Sequence, residues 1–249
     1  MKTSAKTIFD GSPSPWYRYP ANLLRKKLYQ VKSRFGLTSA FERRQAMVGP
    51  GHLWKMKQDF QIRFLKSVGM TPEHYVLDLG CGVLRGGLPL IEYLNHGHYY
   101  GIESRKAVLD EGVSALAEAG LQSKTPSLLL IGDLSKATLD RKFQFIWAFS
   151  VLIHMEDRIL DACLEFSSRH LGRGGRMYAN VNIGNENEGR WQEFPVVARS
   201  REFYKSAAER HGLYLTDVGT LHSLGHMSGS PGQDMQRMFK FVRKDESSF

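Results

Sequence analysis

The 249-residue sequence predicts an α/β fold: a seven-stranded, mostly parallel sheet with helices on both faces, preceded by an N-terminal helical module. Three observations carry this. From Tyr75 onward, short apolar runs of strand length alternate with segments of helical period. The first run ends in an acid and a glycine turn, Asp78-Leu79-Gly80-Cys81-Gly82, the form a parallel strand takes where its carboxyl edge meets a ligand. Before it, Gly69 and Thr71-Pro72 punctuate the chain. The composition, 42% hydrophobic and 24% charged, is that of a globular protein and excludes disordered, collagenous and coiled-coil classes.

In order, residues 1–20 carry Pro13, Pro15, Pro20 and Gly11 and read as an extended arm with aromatic anchors Trp16, Tyr17 and Tyr19. In residues 21–35, Leu24, Leu28, Val31 and Phe35 recur at helical spacing among Arg25, Lys26, Lys27, Lys32 and Arg34, which predicts a short basic amphipathic helix. After Gly49-Pro50-Gly51, a second helix is predicted from Leu53, Met56, Phe60, Phe64 and Val68. The domain boundary is therefore expected at 72/73, with a basic arm and helical cap over 1–72 and the sheet domain over 73–249. Strands are predicted at 75–79, 99–103, 128–131, 143–149, 176–181, 213–218 and 238–242. Helices are predicted at 87–93, 105–119, 157–171 and 202–211.

The formal net charge is +9, and residues 1–72 hold 14 Lys+Arg against 3 Asp+Glu, so the whole excess lies in the first segment. A basic cleft through the sheet domain, as a dedicated nucleic-acid binder needs, is disfavoured. The basic helix 21–35 reads either as a solvated face or as a contact for an anionic surface such as membrane lipid. Two cysteines, Cys81 and Cys163, give no disulfide framework and point to a reducing cytoplasm. The first 30 residues lack a secretory apolar stretch, and the longest apolar run, 145–153, is too short to span a bilayer.

The turn after the first strand does not fit the Gly-x-Gly-x-x-Gly dinucleotide pattern, because Arg85 occupies the third glycine position. The run Val76-Leu77-Asp78-Leu79-Gly80-Cys81-Gly82 instead resembles the first motif of class I S-adenosylmethionine-dependent methyltransferases, whose Rossmann-like fold the predicted order matches over roughly residues 72–245. The resemblance implies S-adenosyl-L-methionine as cofactor. It places Asp78 and the Gly80-Cys81-Gly82 turn beside that cofactor, and Glu103 with Ser104 at the ribose hydroxyls. Asp133 and Leu134 fall at the adenine, and Phe149 and Ser150 beneath the methionine part. Leu84 stands where the family has its third glycine, so the turn must accommodate a side chain there.

Methyl transfer to a hydroxyl calls for a base, and His154, just past the fourth strand, is the candidate; packing or capping of the next helix is the competing role. His222 and His226, in the connector before the last strand, are candidates to line an acceptor pocket. Zinc binding by the pair is disfavoured by the glycines around them, and no metal is expected. Trp54 is a candidate lid residue or a core anchor of its helix. The expected activity is methylation, most simply O-methylation, of a small molecule or a biosynthetic glycan. The alternatives are an RNA ribose methyltransferase and a non-catalytic scaffold of the same fold. The fourth strand ends Ala148-Phe149-Ser150-Val151 without the Asn/Asp-Pro-Pro-aromatic sequence of amino-methylating nucleic-acid enzymes.

Overall fold

Strand β1 (Val76–Leu79) is buried at all four positions, as a central parallel strand covered on both faces must be. In this computed structural model, which describes residues 32, 34, 37–49, 51–184 and 189–246, it is an interior strand of the main sheet. Its neighbours are β2 (Tyr99–Glu103) and β4 (Phe143–Ala148), both parallel to it. Outside β2 lies β3 (Ser127–Leu130), and outside β4 lies β5 (Leu171–Ile183), again in parallel. Two antiparallel strands complete the order 3-2-1-4-5-10-9: β10 (Arg237–Arg243) pairs with both β5 and β9 (Leu213–Thr220). The chain leaves β1 toward β2 and β3, then returns to β4 on the other side. The carboxyl ends of β1 and β4 therefore flank a topological switch point, where open α/β sheets bind ligands.

Each face of the sheet is closed by helices. On one, α5 (Asp157–His170) supplies Leu160, Cys163, Leu164 and Phe166, and α6 (Arg201–Arg210) supplies Tyr204, Ala207 and Ala208, all packed with Leu77, Ile146 and Phe239. On the other, α2 (Trp54–Ser67), α3 (Gly87–Tyr93) and α4 (Lys106–Glu118) bring Phe60, Phe64, Leu90, Leu109 and Leu116 against Tyr99, Phe145 and Trp147. The ends follow simple chemistry. Asp157 opens α5 and Arg169 and His170 close it, in line with its dipole, and Ser200 Oγ caps α6 by accepting from Phe203 N at 3.1 Å.

The seven expected strands are present in the expected order, and the sheet is mostly parallel. Three differences have physical causes. The compact units are residues 1–43 and 44–249, whereas the sequence placed the division at 72/73. Helix α2 belongs with the sheet because Phe60, Phe64 and Leu65 are its core-facing stripe. Second, β5 starts at Leu171, where Gly172 and Gly175 let the strand bulge against β4; a Cβ on Gly175 would meet Phe143 O at 2.7 Å. Third, a small antiparallel hairpin, β6 (Gly189–Trp191) and β7 (Phe194–Val196), and a short strand β8 (Ala198–Arg199) paired with β5 occupy a stretch with no predicted element.

Helix α1 (Ala40–Val48) is also additional and opens on a capping box. Ser39 Oγ accepts from Glu42 N at 3.1 Å, and Glu42 Oε2 accepts from Ser39 N at 2.9 Å. Of the basic helix 21–35 only Lys32 and Arg34 are described, both helical; the arm 1–20 and its aromatic anchors lie outside the described residues. Among the described residues no helix is long and apolar enough to cross a membrane.

Candidate cofactor and active site

At the switch point the chain leaves β1 through three left-handed residues, Gly80 (φ 69°), Gly82 (φ 59°) and Leu84 (φ 61°). The two glycines are needed for space as well as for φ. A Cβ on Gly80 would sit 2.6 Å from Val151 Cγ2, and one on Gly82 would sit 3.2 Å from Val48 Cγ1. Leu84 adopts the glycine conformation at a cost of roughly 1–2 kcal/mol. Its side chain is fully buried in the sheet-face cluster, and two glycines make room for it: a Cβ on Gly87 would approach Leu84 Cδ2 to 2.8 Å, and one on Gly112 would approach its Cγ to 3.3 Å. The loop thus keeps the path of a third glycine and recovers the strain by burying an isobutyl group.

Beneath this turn is a buried polar floor. Asp78 accepts from Tyr99 Oη at 2.7 Å, and burial pushes its carboxyl up to about 7. Lys57 is buried on the core side of α2, where desolvation, helped by the Arg85 charge, pulls its ammonium down to about 7. Arg85 is itself drawn down to about 10 by burial, and still carries its charge at neutral pH. It donates from Nη1 to Val48 O at 3.1 Å, while its buried Nε has no partner. Gln61 accepts from Trp147 Nε1 at 2.9 Å, and Gln58 donates to Arg85 O at 3.0 Å, so α2 is stitched to the loop.

A folded-state pKa above the unfolded value means that Asp78 costs stability as pH rises from about 4 to about 7. Asp78→Asn keeps an acceptor for Tyr99 and never ionises. Its melting temperature should therefore gain on the wild type steadily over that window and hold the gain above it; a constant difference would show that Asp78 ionises normally.

The rim is built from the next strand ends. Glu103, 5% exposed at the end of β2, uses Oε1 to accept from Ser104 N and Arg105 N, both at 3.0 Å, which leaves Oε2 uncommitted by these bonds. At the end of β4, Phe149 stacks on Trp147 at 5.5 Å, and Ser150 turns at φ 61°. That turn is held by a buried chain: Ser150 N donates to Asn180 Oδ1 at 2.6 Å, Asn180 donates to Gln236 at 2.6 Å, and Gln236 donates to Asn182 at 3.0 Å.

His154 lines the same cleft. Its Nδ1 lies 2.8 Å from Pro195 O, and because a carbonyl only accepts, Nδ1 carries the proton and Nε2 is the basic nitrogen. Burial holds the imidazole below its ordinary pKa, against the carbonyl bond and with Arg105 adding to the effect, so it is neutral at pH 7. The ring stacks on Trp191 at 5.3 Å and lies 6.0 Å from Phe194, the two hairpin residues facing the same cleft.

Residues 76–175 match the family described as methyltransferase domain. The fold is that of class I S-adenosylmethionine-dependent methyltransferases. The fold is shared with the magnesium protoporphyrin IX methyltransferase of Synechocystis PCC 6803, crystallised with S-adenosylmethionine, at 18% identity and a TM-score of 0.58 over 77% of this chain and 80% of that one. It is also shared with an S-adenosylmethionine-dependent methyltransferase of Clostridium acetobutylicum (17% identity, TM-score 0.56, 76% and 91% covered) and with the CcbJ methyltransferase of Streptomyces caelestis (14%, 0.57, 75% and 90%). Curated protein sequences give no match. The activity class that the match over residues 76–175 supports is methyl transfer.

Within the methyltransferase domain one cleft gathers Asp78, Gly80, Cys81, Gly82, Glu103, Phe149, Ser150 and His154, eight of the residues the sequence singled out. Cys81 is buried there, and burial raises its thiol well above the ordinary range, so it is an inert wall. The other candidates stand apart. Ser104 is exposed beside the rim, and Asp133 forms an exposed turn with Ser135 and an ion pair with Lys136, with Leu134 next to it. Trp54 lies 5.9 Å from the Arg85 guanidinium, outside the cleft lining.

His222 is exposed, while His226 is 1% exposed and donates from Nδ1 to Asp234 at 2.8 Å, edge-on to Phe60. Neither histidine reaches the cleft lining. Among the described residues no group of three or more His, Cys, Asp or Glu side chains is placed to hold a metal. Sequence reasoning missed Lys57, Gln61 and Arg85, whose signal was polarity on the apolar stripe of α2 and in the buried loop. It also missed Arg105, Trp191 and Phe194, which nothing in a strand-and-helix reading marks.

Proposed function

We propose that this cleft holds S-adenosylmethionine and transfers its methyl group to the hydroxyl of a small molecule, with His154 as general base. The observation that carries the proposal is the tautomer of His154: Nδ1–H is locked on Pro195 O, which leaves Nε2 as the unprotonated, basic nitrogen of a residue that lines the cleft.

The residues present suit the cofactor. The glycine turn is a cradle that a Cβ would fill, and the orphaned Nε of Arg85 is a buried donor without an acceptor. Glu103 Oε2 would take the ribose hydroxyls, and Phe149 and Ser150 would floor the methionine chain. The Arg85 cation in the cleft lining suits its carboxylate, and Asp133 and Leu134, outside that lining, would meet the adenine. When bound, the cofactor supplies an electrophilic methyl on a sulfonium, open to in-line displacement. The chain itself aligns the acceptor, excludes water through the hairpin, and at His154 Nε2 receives the hydroxyl proton, which then passes to solvent.

The test is incubation of the folded protein with methyl-labelled S-adenosylmethionine and a panel of hydroxylated small molecules. Label recovered as methyl ether is the expected result, and label transferred only to amines would replace the O-methyl reading.

A further inference from the structure

Resting on the reading above, we propose that the acceptor subsite beside His154 takes a flat, hydroxylated aromatic ring, a phenol-type compound, seated against Trp191. The wall on the base side of the cleft is made of ring planes. Trp191 lies within 15° of Phe194 and 28° of His154, so the Trp191 and Phe194 rings form a shelf of nearly common orientation beside the base, whose own ring is turned 43° from Phe194. A flat partner meets such a shelf over its whole area, whereas a puckered saturated ring touches it through a few hydrogens.

The shelf is also fixed before any acceptor arrives. Gln192 Nε2 donates to Ala46 O at 2.9 Å, Arg105 reaches Gln192 Oε1 at 3.3 Å and lies 5.0 Å from the Phe194 ring, and Val197 N donates to Ile153 O at 2.9 Å. A wall anchored at its turn and at its base selects by shape, because moving it would break these contacts.

Two chemical arguments narrow the class. The side chains that would meet the acceptor's ring, Val151, Trp191 and Phe194, are apolar, while Arg105, Ser150 and Glu103 also line the cleft. A sugar ring would leave several hydroxyls desolvated and unpaired there, at about 1–3 kcal/mol each, while a phenol brings one hydroxyl and directs it to Nε2. In addition, an imidazole of depressed basicity is matched to an acid near pKa ~10, the phenolic value, and poorly to the far weaker acid of an aliphatic hydroxyl. Trp191 is a positioning residue in this scheme; the phenolic proton goes to His154 Nε2.

The test is equilibrium titration of 2-naphthol, and of its saturated counterpart trans-2-decalol, into the protein saturated with S-adenosylhomocysteine. The expected results are saturable binding of 2-naphthol at least tenfold tighter than trans-2-decalol, a loss of tenfold or more in Trp191→Ala, and retention within about threefold in Trp191→Phe. S-adenosylhomocysteine affinity should stay within about threefold in both variants. Equal binding of the two ring systems, no binding of 2-naphthol, or an unchanged Trp191→Ala overturns the proposal while the cofactor reading stands. Failure of the wild type to take up S-adenosylhomocysteine takes down the cofactor reading and this one together.

Discussion

His154→Ala lowers turnover by about 100-fold or more, the range general bases contribute, while cofactor affinity stays within about twofold. The imidazole sits with Nδ1–H on Pro195 O, and the substitution also removes that anchor of the β6–β7 hairpin. His154→Gln separates the two roles, because its amide can still donate to the carbonyl but offers no base. If His154 acts as the base, Gln is as inactive as Ala; if it only anchors the hairpin, Gln restores turnover.

The pH profile gives a second check. Burial and Arg105 hold the imidazole below its ordinary 6.5. The ascending limb of kcat/KM therefore lies below pH 6.5, is flat by neutral pH, and is absent in His154→Ala. A limb centred above pH 7 contradicts the assignment.

Glu103→Ala weakens S-adenosylhomocysteine binding by about 30- to 150-fold, the equivalent of roughly 2–3 kcal/mol for two charge-assisted hydrogen bonds. The geometry allows this because Oε1 is already occupied by the Ser104 and Arg105 amides, so the carboxylate of this cleft-lining residue is held with its second oxygen outside those bonds. Alanine also orphans those two amides ahead of α4, which makes Glu103→Gln the cleaner control. It keeps the acceptor for those two amides but puts an NH2, which only donates, in place of Oε2, so a loss close to alanine's is expected without the orphaned amides. Unchanged affinity in both variants removes Glu103 from the cofactor site.

The strand order and the acid-glycine turn could be read from the sequence because they depend on local signals. Apolar runs of four to six residues make buried parallel strands, and a turn needing two left-handed residues with no room for a Cβ must be Gly80 and Gly82. Leu84 shows the limit of such reading. Its left-handed backbone is possible only because Gly87 and Gly112, 3 and 28 positions away, clear space for it. No pattern at Leu84 itself announces that.

Lys57 was hidden for a similar reason. A lysine on a helix is ordinarily solvated, and only the docking of α2 onto the sheet buries it with Arg85. The hairpin with Trp191 and Phe194 was invisible because its strands are three residues long and its turn, Gln192-Glu193, lacks the usual glycine or asparagine, with Gln192 itself at φ 52°. The boundary moved from 72/73 to 43/44 because punctuation at Thr71-Pro72 marks a loop, while packing decides the unit.

The central claim is that the turn 80–82 and the Glu103 rim form a S-adenosylmethionine site. Isothermal titration of S-adenosylhomocysteine into the folded wild-type chain, with Glu103→Ala in parallel, tests it most directly. One site per chain is expected, weakened by about 30-fold or more in the variant; no binding by the folded wild type, or equal binding by both proteins, would contradict it.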